Sequence, residues 1–161
     1  MHYIATGKEE RDQTRLGLYL LQEKPLKVQS VEIIRDRSLM IQPGEKNYTI
    51  SGSYQFKNDA ELTSLQPHMH YRGKSMKFKA VYPDHSEEIL LSVPNYKFQW
   101  QRRYIFEKPK FLAKGTVIIA EAVFDNSPQN PDNPNPTARI HYGPYSQDEM
   151  FNGILYYVER K

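Results

Sequence analysis

The chain has 161 residues, 39% of them hydrophobic and 12% aromatic, a length and an apolar content that suit one domain around one core. Its 22 basic and 19 acidic residues are well mixed and leave a net charge of +3, so no continuous basic stripe can follow phosphates and nucleic acid is not an expected partner. The absence of cysteine excludes disulfides, thiol catalysis, cysteine-rich zinc sites and blue-copper centres, and no apolar run approaches the roughly 20 residues of a membrane span.

The chain opens at Met1-His2-Tyr3-Ile4 with polar residues and no leader, which predicts a domain excised from a longer protein. From Gly17 onward, short apolar or alternating runs predict strands over 17–21, 26–34, 48–56, 61–70, 75–82, 88–93, 99–106, 116–124 and 151–158. Turn chemistry separates them at Gln42-Pro43-Gly44-Glu45, Tyr71-Arg72-Gly73-Lys74 and Pro83-Asp84-His85. No segment carries a long apolar repeat of period 3.6. The expected fold is all-β, an antiparallel β-sandwich of jelly-roll type with about nine strands, spanning 1–161 as a single domain. The densest basic spot, Gln101-Arg102-Arg103-Tyr104, reads at period 2 as the solvated face of a strand. Residues 126–136 hold four prolines within nine positions, which removes ladder donors and predicts a long surface loop. That loop reads either as a tolerated insertion or as a wall of a substrate pocket.

The chemistry-bearing segment is Leu65-Gln66-Pro67-His68-Met69-His70. In a strand, residues i and i+2 project from one face, so His68 and His70 can present two imidazoles to one metal while Met69 points the opposite way. A His-x-His pair alone is a weak signal, because two half-exposed histidines on a strand need bind nothing. A cupin would add a carboxylate three or four residues after the second histidine, where Gly73, Lys74 and Ser75 stand, so a cupin-type iron or manganese site is disfavoured.

A second segment, His141-Tyr142-Gly143-Pro144-Tyr145-Ser146-Gln147-Asp148-Glu149-Met150-Phe151-Asn152, sets a methionine after a turn and two acids at the head of the last strand. Core packing is the commoner role of methionine. Together with the histidine pair, however, Met150 completes a mixed borderline and soft donor set. Such a set suits copper cycling between Cu(I) and Cu(II), leaves a position open for oxygen, and would attract zinc poorly.

The carriers just quoted, with His2-Tyr3, the Ile41-Gln42-Pro43-Gly44-Glu45 turn, Gly73 behind the pair, and the closing Leu155-Tyr156-Tyr157, give a wider likeness. Over essentially its whole length the chain resembles the second, C-terminal domain of the copper type II, ascorbate-dependent monooxygenases, the group of peptidylglycine α-hydroxylating and dopamine β-monooxygenases. The resemblance implies that His68, His70 and Met150 hold the copper at which O2 and a small-molecule substrate meet, with ascorbate as reductant. It implies a second copper held by three histidines, two of them in a preceding N-terminal domain and the third matching His2. It also implies an oxidising extracytoplasmic setting, periplasmic or secreted. His141 reads either as a hydrogen-bonded loop residue or as support behind the ligands. Gln66, Asn152 and Tyr145 are the candidates for contact with substrate.

Peptide-processing members place an arginine two residues before the pair to grip a terminal carboxylate, and Gln66 cannot supply that bidentate charged contact. Peptidylglycine is therefore not the expected substrate, and the chain reads as a bacterial or divergent member whose substrate the sequence does not name. Two further readings stay open: a non-catalytic copper-binding or carrier domain that kept the ligands, and an interaction module whose histidines are incidental.

Overall fold

A computed structural model describes residues 6–25 and 27–160. Runs rich in β-branched and aromatic residues form ten strands, and no helix occurs among the described residues. One four-stranded sheet takes β1 (Ser30–Arg35), β10 (Asn152–Glu159), β4 (Ala60–His68) and β7 (Tyr104–Leu112) in that order. The other takes β3 (Tyr48–Gln55), β8 (Val117–Phe124), β5 (Gly73–Val81) and β6 (Glu87–Val93). Every pairing is antiparallel, and a two-stranded ladder of β2 (Met40–Ile41) with β9 (Ile140–His141) stands beside them.

Period-2 alternation explains the two layers. In β8, Ile118, Ala120, Ala122 and Phe124 are buried while their neighbours are half-buried. Leu62, Leu65, Leu155 and Tyr157 from the first sheet, with Phe78, Ala80, Ile118 and Ala120 from the second, belong to one continuous core. The architecture is an all-β antiparallel sandwich, as the alternation predicted.

Several boundaries differ from expectation. Ten strands are present among the described residues against about nine expected: β2 and β9, each two residues long and too short to show a period, are added, and one expected strand is lost. The strand expected over 17–21 does not form: every residue from Thr6 to Pro25 is exposed, and no ladder among the described residues includes them. Apolar alternation alone does not make a strand when no sheet edge receives it. The strand expected over 99–106 starts later and runs further. β7 tolerates Pro109 because it is an edge strand whose register with β4 breaks between Leu62 and Ser64. Residues 126–136 form a loop as predicted, with its shape set by side chains that cap their own backbone. Asp125, Asn130, Asn133 and Asn135 each accept from the N–H two residues on, at 2.9, 3.0, 3.2 and 3.1 Å.

Candidate metal centre

β4 and β10 are neighbours, and their register pairs Asn152 with His68, Gly153 with Pro67 and Ile154 with Gln66. Continued two residues beyond the strand ends, the same alternation would set Met150 against His70 and Phe151 against Met69. Met69 and Phe151 are in the core and His68, Met150 and Asn152 are only partly covered, but His70 is buried as well, so burial follows that parity only in part. By that alternation one face of the strand pair would carry His68, His70, Met150, Asn152 and Gln66 together. The two imidazole centroids lie 5.3 Å apart at 88°, and Asn152 Nδ2 lies 3.4 Å from Met150 Sδ.

Each imidazole is oriented by an oxygen on its Nδ1 side. His70 Nδ1 lies 3.1 Å from the Asp148 carbonyl, and His68 Nδ1 meets Gln101 Oε1. An oxygen facing Nδ1 favours the tautomer with the proton on that nitrogen and the lone pair on Nε2. Such support on the Nδ1 side is the usual arrangement behind a metal-binding histidine. Burial depresses the His70 pKa, and the Asp148 carbonyl only partly offsets this. The neutral imidazole that a metal requires is therefore the favoured form. Phe98 sits edge-on to His70 with centroids 5.9 Å apart.

The backbone around the pair is tied down by side chains. Tyr96 donates its hydroxyl to the Met69 carbonyl at 2.7 Å and accepts from Met69 N at 3.1 Å. Gly73 is required here, because a Cβ would stand 2.6 Å from Met69 Cβ and 2.8 Å from the Tyr96 ring. Glu149, 0% exposed, accepts from the backbone N–H of His70 and of Arg72 at 2.7 and 2.6 Å. Burial raises its carboxyl to about 7, against the pull of those two bonds and of the nearby guanidinium. Arg72, 1% exposed, donates to Asn126 Oδ1 at 2.8 Å and to the Gln147 carbonyl at 2.8 Å. Asn126 in turn donates to the Gln42 and Ala138 carbonyls, so the proline-rich loop is anchored behind the site.

The remaining expectations divide. Gln66 Oε1 accepts from Tyr156 OH at 2.8 Å, one pair along the strands from His68. Asn152 Oδ1 is buried with no hydrogen-bond partner. The Tyr145 ring is exposed, while its carbonyl faces the His70 imidazole. His141 is exposed on β9, and its carbonyl accepts from Glu149 N at 3.1 Å, so its backbone touches the support network while its ring faces solvent. His2 lies outside the described residues. Gln101, expected on the solvated face of a strand, is in the loop before β7 and holds His68.

Sequence reasoning missed Gln101, Tyr96, Phe98 and Arg72, whose roles depend on partners distant along the chain. The sequence places Glu149 between Asp148 and Met150 but gives no sign that it is buried. Among the described residues no group of three or more His, Cys, Asp or Glu side chains could hold a metal, so a site built on the histidine pair would draw any further donor from outside those residue types. The groove of about 520 Å³ lined by Ile50, Met76, Val93 and Val123 contains none of these donors. Volume does not mark this site; donor chemistry does. Two imidazoles, one half-buried and one buried, and a soft sulfur on the neighbouring segment are donor types that fit copper.

Among known protein families, residues 28–161 match the one described as copper type II ascorbate-dependent monooxygenase, C-terminal domain. No curated protein matches the chain.

Proposed function

This chain belongs to the copper type II ascorbate-dependent monooxygenases, as their C-terminal domain, and from that premise we propose that His68, His70 and Met150 hold the copper at which a substrate C–H bond is hydroxylated with O2. The observation that supports the reading is the β4/β10 register, which pairs Asn152 with His68 next to the two imidazoles, while the Glu149 carboxylate accepts from the backbone N–H of both His70 and Met150. Copper supplies the redox chemistry, with ascorbate as the family's reductant; the chain supplies placement.

Gln101 and the Asp148 carbonyl orient the two rings, and Met150 adds a donor that favours Cu(I). The buried, unpartnered Asn152 Oδ1 supports a role in accepting a substrate O–H or N–H beside the ligands, with Gln66 and the Tyr145 loop flanking it. A neutral Gln66, already engaged by Tyr156, argues against gripping a carboxylate from that position. The second copper, to which His2 would contribute, belongs with a preceding domain, and the compartment that fits the family is extracytoplasmic, periplasmic or secreted. The interleaved orders β1-β10-β4-β7 and β3-β8-β5-β6 support reading the sandwich as a jelly roll.

The test is X-ray absorption of the Cu(I)-loaded protein beside a copper titration. A sulfur neighbour with two imidazoles is expected in the wild type. Met150→Ala should lose the sulfur and weaken Cu(I) more than Cu(II). A wild-type spectrum without sulfur removes Met150 from the ligand set and the reading with it.

A further inference from the structure

β4 ends at His68 and β10 begins at Asn152, so beyond those residues the ladder no longer pairs the two segments that carry His70 and Met150. Something else must fix their separation. The backbone N–H groups of His70 and Arg72 turn inward to a single buried group, the Glu149 carboxylate. Oε2 accepts from His70 N at 2.7 Å and from Met150 N at 3.3 Å, and Oε1 accepts from Arg72 N at 2.6 Å.

We propose that Glu149 is the positioning residue of this centre: one carboxylate, bonded to the backbone of His70 and of Met150, sets the gap between imidazole and thioether before copper arrives. The proposal rests on the copper reading above.

Chemistry explains why the group is a carboxylate. Three N–H donors converge on it, and only an ionised carboxyl offers acceptors on both oxygens with no hydrogen to clash. A glutamine of the same size has one acceptor oxygen, and its amide would aim N–H at N–H. The cost of burying a charge is moderated by these bonds and by the Arg72 guanidinium. The two segments are also joined without Glu149, by His70 Nδ1 to the Asp148 carbonyl and by Arg72 Nη1 to the Gln147 carbonyl. Removing the carboxylate should therefore loosen the geometry of the ligands more than it unfolds the chain.

The experiment compares the full chain with its Glu149→Gln variant, using Cu(I) itself as probe. The variant is expected to bind Cu(I) about 10- to 100-fold more weakly. Its X-ray absorption should keep the imidazole contribution while the sulfur contribution is lost or lengthened, a signature that general destabilisation does not produce. If the variant keeps the wild-type affinity and the wild-type sulfur distance, the positioning role is overturned and the copper reading stands. If the wild type itself shows no sulfur, both fall together. Should the variant not fold, amide exchange in the unaltered metal-free protein decides. Slow exchange at His70 and Arg72, unchanged on adding Cu(I), supports a preformed clamp, and exchange as fast as free chain overturns it.

Discussion

Gln101 biases the His68 tautomer, because its amide oxygen facing Nδ1 favours a proton there and the lone pair on Nε2. Gln101→Ala removes that bias and frees the ring to rotate. A loss of about tenfold or more in copper affinity is expected, measured by competition titration. The thermal midpoint should move little, since Gln101 is only half-buried in a loop. Gln101→Glu keeps an acceptor and should restore binding; unchanged affinity in the alanine variant would remove Gln101 from the site. The histidine pair was legible in the sequence because two residues i and i+2 in an extended segment need only period 2 to be recognised, and His68 and His70 have it. Gln101 was not, since it lies 33 residues from His68 in a segment whose alternation imitates a strand. Arg72 was hidden for a different reason. A cation in a turn reads as solvated, and only the fold brings Asn126 and the Gln147 carbonyl to it.

Strands with one buried face announced themselves. The alternation that predicted 116–124 and 151–158 is the burial pattern of β8 and β10. Edges were harder to read, because an edge strand obeys its neighbour less strictly: β7 carries Pro109 and a register shift, and its start was misplaced. At these edges the two sheets are linked. Glu88 on β6 accepts from Lys110 of β7 and from Tyr82 OH, both at 2.7 Å. The Lys110 ammonium, with the tyrosine hydroxyl, holds the Glu88 carboxyl below its ordinary value of 4.5. A carboxyl with a lowered folded pKa stabilises the fold above 4.5, and the contribution is lost as pH falls through the folded value. The pair is partly exposed and solvent-screened, so its worth stays under about 1 kcal/mol. Glu88→Gln should melt about 2 °C lower than wild type at pH 7. Melting curves recorded down to pH 3 should then converge; a difference that persists in acid would mean that shape, not charge, joins the sheets.

Across the whole molecule, the matched region begins at residue 28, and the stretch before it behaves differently from everything after it. Leu16, Leu18, Tyr19, Leu20 and Leu21 are 73% to 102% exposed, so they bury almost no apolar surface and contribute little to the hydrophobic free energy of the sandwich. Their apolar pattern was read as a strand, but the described sheets offer it no partner. β1 is the opposite case. It pairs with β10 from Ser30 opposite Tyr157 to Arg35 opposite Asn152, and it sends Ile34 into the core. A truncation that removes everything up to Leu21 should leave the melting temperature of the metal-free protein within about 2 °C of the full chain. One that continues through Arg35 should strip an edge from β10 and uncover the core beneath it, abolishing cooperative melting. Copper binding should fail in the same step, because Asn152 pairs with Arg35 on the strand just removed. A drop of more than about 5 °C in the shorter truncation would show that the exposed leucines belong to this fold after all. Calorimetry on the two truncations therefore separates the residues that build the sandwich from those that only precede it.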